Sequence, residues 1–154
     1  EFAQLALGNT YRDQKKYREA IEAYDVIRKR GTERYPVDIV IEGLIRLAET
    51  QFLTGEFKDA GVTYLRIPLL YKHHNPLRAL QATVYAADAF AKAADHSAQA
   101  EYNHMARGEY ENALKFYEAN AQRVQEPGIR KKWDQLHSYA KNKLQQLLNK
   151  LGQE

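Results

Sequence analysis

The chain is predicted to be all-α, a row of antiparallel helical hairpins with about seven or eight helices. Three observations carry that reading. Leu7, Gly8, Tyr11, Tyr17, Ala20 and Tyr24 are echoed forty residues later by Leu47, Ala48, Gln51, Phe57, Ala60 and Tyr64. Such a recurrence marks one supersecondary unit copied and stacked, since a single hairpin cannot bury its apolar face alone. The Tyr35-Pro36 and Asn75-Pro76 steps are also forty residues apart, which supports the same period. Finally, the chain has only 8 Gly and 4 Pro and is rich in Ala, Leu, Lys, Glu and Gln, a composition that favours helix over sheet.

The elements follow in order. Residues 2 to 14 read as a helix, with Phe2, Leu5, Ala6 and Tyr11 at helical spacing, broken by Asp13-Gln14-Lys15-Lys16. Tyr17 to about Arg30 is the return helix, with Ala20, Ile21, Tyr24 and Ile27 on one face and Gly31 as its stop. Thr32 to Tyr35 form a loop, and Pro36 opens the next helix, where its missing N–H costs nothing. Ile39 to about Leu53 and Phe57 to about His73 repeat this plan around a Thr54-Gly55-Glu56 turn. Pro68 is expected to kink the second of these or end its regular part early.

Leu77 to Ala93 is an Ala-rich helix with Leu80, Val84, Ala87, Phe90 and Ala91 on one face, and Asp95-His96-Ser97 reads as a turn. Beyond it two registers compete. One makes Ser97 to Ala106 a short return helix. The other sets Gly108, Tyr110, Ala113 and Tyr117 against Gly55, Phe57, Ala60 and Tyr64. The reading adopted keeps both turns, with separate helices over 97–107 and 109–124. After the Glu126-Pro127-Gly128 break, Ile129 to Leu151 forms the last helix. Its apolar stripe is Ile129, Trp133, Leu136, Ala140, Leu144, Leu147 and Leu151, the two-sided profile of a capping element.

These residues resemble the tetratricopeptide repeat family. Its pattern asks for a small residue near position 8, aromatics near 11, 17 and 24, Ala at 20 and Pro near 32. The first unit meets this with Gly8, Tyr11, Tyr17, Ala20, Tyr24 and a late Pro36; the second with Ala48, Gly55, Phe57, Ala60 and Tyr64, but with Gln51 in an aromatic place. The resemblance implies a right-handed α-solenoid in one domain spanning residues 1–154. The repeats would cover 1–35 and 36–75, a degenerate stretch 76–125, and a capping helix 128–152. The long period is similar to that of tetratricopeptide proteins of bacterial cell envelopes, which leans the expected compartment toward the periplasm. The helical pattern is already under way at Glu1 with no initiator Met, so the chain reads as a piece of a longer protein.

The resemblance also implies a function: non-catalytic binding of a peptide or protein segment in a groove lined by the first helix of each hairpin. The implied groove positions include Phe2, Leu5, Asn9, Arg12 and Asp13 in the first unit, and Glu42, Ile45, Glu49, Phe52 and Leu53 in the second. A forty-residue step adds Ala82, Tyr85, Ala89, Lys92 and Ala93. Asn9 offers a paired donor and acceptor for a peptide backbone, and Arg12 a fork for a carboxylate. Leu5 stands where chaperone-binding members carry a clamp Lys, so that subtype does not fit.

Other chemistries find less support. Zero cysteines exclude disulfides, thiolate metal sites and cysteine nucleophiles. No phosphate-binding glycine loop, nucleophile elbow or His-Glu-x-x-His pattern occurs, so no catalytic residue, cofactor or small-molecule substrate is expected. His73, His74, His96, His104 and His137 lack metal-ligand spacing. No apolar run reaches the roughly 18 residues of a membrane span.

The net charge of +3 is uneven. Residues 123–154 carry seven Lys/Arg against three acids, leaving the first 122 residues at −1. Arg130, Lys131, Lys132, Lys141 and Lys143, with Trp133 and Tyr139 among them, therefore define the alternative: a nucleic-acid or anionic-surface binder. Trp133 also belongs to the apolar stripe, which weakens that alternative. Self-association through the last helix, giving a homo-oligomer, is the third reading.

Overall fold

The computed structural model describes residues 2–152; the expectation attached to Glu1 lies outside them. Seven α-helices run through the described residues: α1 (Ala3–Asp13), α2 (Tyr17–Arg30), α3 (Val37–Leu53), α4 (Phe57–Tyr71), α5 (Pro76–Ser97), α6 (Glu101–Asn120) and α7 (Pro127–Gly152). Short 3-10 turns at Gly31–Glu33 and Ala121–Arg123 follow α2 and α6, and no strand occurs among the described residues. Each helix packs against the next in the chain. No helix among them is long and apolar enough to cross a membrane.

The forty-residue period is visible atom by atom in the turns. After α1, the N–H groups of Gln14, Lys15 and Lys16 donate to the carbonyls of Thr10, Arg12 and Tyr11 at 3.1, 2.8 and 2.8 Å. After α3, Thr54, Gly55 and Glu56 donate to Thr50, Phe52 and Gln51 at 3.1, 3.1 and 2.8 Å. Both turns need a left-handed residue at the second of these three places, where Gly55 has φ 83° and Lys15 has φ 60°. Gly adopts that region without strain, whereas an L-residue there gives up roughly 1–2 kcal/mol.

The starts of α5 and α7 are fixed by side chains. Asn75 Oδ1 accepts from the Arg78 N–H at 3.1 Å, with Pro76 at the first helical position. The Glu126 carboxylate accepts from Gly128 and Ile129 at 3.1 and 2.8 Å, and those bonds hold its pKa below the ordinary carboxylate value. Pro127 and Gly128 thus form the first turn of α7 rather than a break ahead of it.

Three expectations are corrected. The segment 97–124 is not two helices: α6 is continuous from Glu101 to Asn120, and Gly108 lies in its interior. Helix-favouring neighbours and the Arg107–Glu111 pair at 2.9 Å offset the cost of one glycine, about 1 kcal/mol. Asp95-His96-Ser97 is the last turn of α5, and the chain reverses at Ala98, whose φ is 55°. Pro68 does not itself end α4, which runs three residues further to Tyr71, two short of the expected His73; the proline removes one ladder bond in the last turn.

The true register of the third hairpin follows. Ala106, Tyr110 and Ala113 are buried on α6 at the spacing of Ala20, Tyr24 and Ile27 on α2 and of Ala60, Tyr64 and Ile67 on α4. Along α5, Ala87-Asp88 stands where Gly8-Asn9 and Ala48-Glu49 stand on α1 and α3. The α5 helix is five residues longer than α3 (22 against 17), which displaces everything after it.

The core runs through the stack, built on Ile27, Leu44, Leu47, Ile67, Leu80, Val84, Phe90 and Tyr110 and closed by Trp133. Small residues let the helices approach. Tyr24 lies against the bare Cα of Gly8, Ile27 against Gly43, and the Phe90 ring against Gly61. The α7 stripe docks by burying Trp133, Ala140 and Leu147, while Ile129 at its start remains exposed. The Trp133 ring packs beside Phe116 and Tyr117, with ring centres 5.9 and 5.5 Å apart.

Candidate functional site

The helices that open the hairpins share one face. α1 touches α3, α3 touches α5 and α5 touches α7, whereas α2, α4 and α6 make no such contacts with one another. Along the shared face the charged groove candidates neutralise each other in a chain. Arg12 Nη1 lies 3.6 Å from Glu49 Oε2, and the same oxygen lies 3.5 Å from Arg46 Nη1. Arg46 Nε donates to Glu42 Oε1 at 2.9 Å, and Arg78 Nη2 reaches Glu42 Oε2 at 3.2 Å. Five side chains from three helices thus alternate in sign. Each pair is partly exposed and contributes about 1 kcal/mol or less, so the chain orients helices more than it stabilises them.

Asn9 is also engaged: its Oδ1 accepts from the buried Tyr24 hydroxyl at 2.6 Å. Phe52 meets Phe57 edge-on at 4.9 Å, and Phe57 in turn meets His96 at 4.9 Å, so Phe52 belongs to an aromatic cluster at the α3–α4 turn. A recess of about 300 Å³ opens beside that cluster, walled by Glu56, Lys58, Asp59, His96 and Tyr102. Asp13 ends α1 in an exposed position, and Lys92 is exposed on α5. Of the other implied groove positions, Ile45, Ala82, Ala89 and Ala93 are buried, which makes them core rather than lining.

At the α5–α7 end the face changes character. Asp88 accepts from the Tyr110 hydroxyl and, at 2.8 Å, from the Tyr139 hydroxyl, joining α5, α6 and α7 through one carboxylate. Burial raises the Asp88 pKa above its ordinary value of 3.8; the two hydrogen bonds oppose that rise without cancelling it. Burial first, and the Asp88 carboxylate second, raise Tyr110 and Tyr139, so both hydroxyls remain donors. Tyr85 lies alongside, its ring centre 5.8 Å from that of Tyr64.

Beside this cluster a recess of about 420 Å³ opens between the two helices, lined by Gln81 and Tyr85 from α5 and by Lys132, Gln135, Leu136 and Tyr139 from α7. It brings together one groove candidate, Tyr85, and one member of the basic patch, Lys132. Gln81 and Gln135 are contributors that sequence reasoning missed. Uncharged amides carry no motif, and only the α5–α7 packing angle sets them opposite each other.

The remaining basic patch is dispersed. Arg130 donates to Asp134 at 3.1 Å and to the Ala121 carbonyl at 2.8 Å, securing the α6–α7 connection. Trp133 is fully buried and presents no stacking surface. Lys143 Nζ lies 5.8 Å from the Tyr139 ring centre, and Lys131 and Lys141 are exposed elsewhere on α7. The histidines occupy separate places: His73 beside Arg123, His74 beside Asp38, His96 against Phe57 and His137 stacked on Tyr117. Among the described residues no group of three or more His, Cys, Asp or Glu could hold a metal ion.

What stands on these observations is a class: an all-helical protein whose seven described helices each pack on the next, with α1, α3, α5 and α7 also touching in turn. No protein-family model matches the chain, and no curated protein matches it.

Proposed function

We propose that the protein is a non-catalytic interaction module of the tetratricopeptide kind, which holds a peptide or protein segment on the face made by α1, α3, α5 and α7. One observation carries the reading: that face opens between α5 and α7 into a recess walled by two tyrosines, a leucine, two amides and a lysine. Amphipathic rings on rigid helices suit a polypeptide because they lose little side-chain freedom when it binds, and the amides offer its backbone both donors and acceptors. The contacts among opening helices, without counterparts among α2, α4 and α6, support a curved stack with this face on its inner side. The sharing of one turn geometry by the first two hairpins supports true repeats.

The reading also locates the useful mutations. Asn9 and Arg12 hold Tyr24 and Glu49, so changing them disturbs the stack as well as the face. Tyr85 and Gln81 line the recess without such duties in the hydrogen-bond network. A randomised peptide library should be selected on the wild-type protein and rescreened on Tyr85→Ala, Gln81→Arg and, on α4, Lys58→Glu. The expected result is loss of selected peptides on the first two variants and retention on the third. Peptides indifferent to Tyr85→Ala and Gln81→Arg would overturn the assignment.

A further inference from the structure

The face is divided electrically. From α1 to the start of α5, each charge in the Arg12–Glu49–Arg46–Glu42–Arg78 chain has an opposite neighbour within 3.6 Å, so no cation there is left without a carboxylate beside it. At the α5–α7 recess the balance fails. Asp88 beside the recess is held by two tyrosine hydroxyls, and Glu49 and Glu126 act on Tyr85 and Lys132 from outside it, whereas the recess wall itself carries Lys132 and no carboxylate. Lys143 over the Tyr139 ring adds a second cation beside it. Asp134, one helical turn from Arg130, is engaged there and by the Tyr117 hydroxyl, on the α6 side of α7.

Resting on the peptide-binding reading above, we propose that this recess takes an acidic peptide segment bearing one bulky apolar side chain. The apolar group seats among Tyr85, Leu136 and Tyr139. A flanking Glu or Asp carboxylate faces Lys132, and the Gln81 and Gln135 amides receive the peptide bonds around it. The volume of about 420 Å³ suits one large side chain with its backbone rather than a polymer strand. A nucleic acid is disfavoured on separate grounds. It needs a track of cations and open rings, but Arg130 is bound to Asp134 and Ala121, Trp133 is buried, and the Tyr139 hydroxyl is tied to Asp88.

The test uses three fluorescein-labelled peptides with one phenylalanine flanked by glutamates, by glutamines or by lysines, followed by anisotropy. The wild-type protein is expected to prefer the glutamate peptide over the lysine peptide by about tenfold, the scale of turning one partly exposed attraction into a repulsion. Lys132→Glu should invert that order, and Tyr85→Ala should weaken all three. Equal binding of the three peptides, or a glutamate preference that survives Lys132→Glu, overturns the acidic preference. So does displacement by a single-stranded oligothymidylate with equal losses from Lys131→Glu and Lys141→Glu, which assigns the surface to nucleic acid. If the charge preference is absent while Tyr85→Ala still abolishes binding, this inference fails and the peptide-binding face stands. If Tyr85→Ala changes nothing, both fail.

Discussion

Replacing Gly61 by alanine should destabilise the protein, although the same change in an open helix stabilises. An interior Gly→Ala gains about 1 kcal/mol of helix propensity when nothing stands in the way. At Gly61 a Cβ would lie 2.6, 2.8 and 2.9 Å from three atoms of the Phe90 ring, closer than carbon atoms approach. Phe90 is fully buried, so its ring cannot swing into solvent. Relief requires an off-rotamer ring or a shift of α4 against α5, and overpacking of that kind costs about 1–3 kcal/mol. The net expectation is a loss of up to about 2 kcal/mol, or a Tm lower by up to roughly 8 °C for a chain of this length, in place of the gain of an open site. Gly108, in the interior of α6, has nothing within 4 Å of its Cβ direction, and Gly108→Ala should raise stability by about 0.5–1 kcal/mol. Urea and thermal unfolding followed by circular dichroism measure both. Phe90→Leu should be less damaging in the Gly61→Ala background than alone, a coupling read by a double-mutant cycle. A Gly61→Ala protein stabilised as much as Gly108→Ala would refute the close approach of α4 and α5 at Phe90.

Two further outcomes follow from the α7 end. Because burial raises the Asp88 pKa, the native state holds this proton more tightly than the unfolded chain, so wild-type stability declines as the pH climbs from below 3.8 through the folded-state pKa. Asp88→Asn lacks this titration and should gain on wild type between acid and neutral pH in paired denaturation curves; a constant difference across that range would contradict the assigned burial. Trp133→Ala should cost about 3–5 kcal/mol and increase hydrogen exchange in α7 before α1–α4; uniform exchange along the chain would argue against separable docking of α7.

The fold was largely legible because its signals are local. The turn residues and the α7 stripe each depend on neighbours a few positions apart, and the forty-residue recurrence is one such local pattern repeated. The third hairpin was obscured by a length change. With α5 extended, Ala106 and Tyr110 return forty-six residues after Ala60 and Tyr64, and the fixed period puts the third turn at Asp95, which lies inside α5. The tyrosines at 24 and 110 have the same duty, each bonding a polar residue on the preceding helix. That equivalence appears only when helix pairs are superposed in space. The binding face was the least legible part. Arg12, Glu42 and Glu49 were named as candidates singly, but their mutual pairing depends on the offset between helices, which no spacing within one helix reports.

The extra length of α5 has a mechanical consequence. At 1.5 Å per residue, α3 is a post of roughly 26 Å, α5 one of roughly 33 Å and α7 a beam of roughly 39 Å. Asp95 lies in the last turn of α5, within the extended part, and its carboxylate accepts from Lys150 Nζ at 2.6 Å near the far end of the beam. Tyr139 fastens the middle and Trp133 the near end. Cut to the height of α3, the α5 post would retain the Tyr139 fastening, with Trp133 still held by α6, and leave the last turns of α7 cantilevered. How firmly the final helix is moored is therefore set by the height of its neighbour as much as by its own apolar stripe.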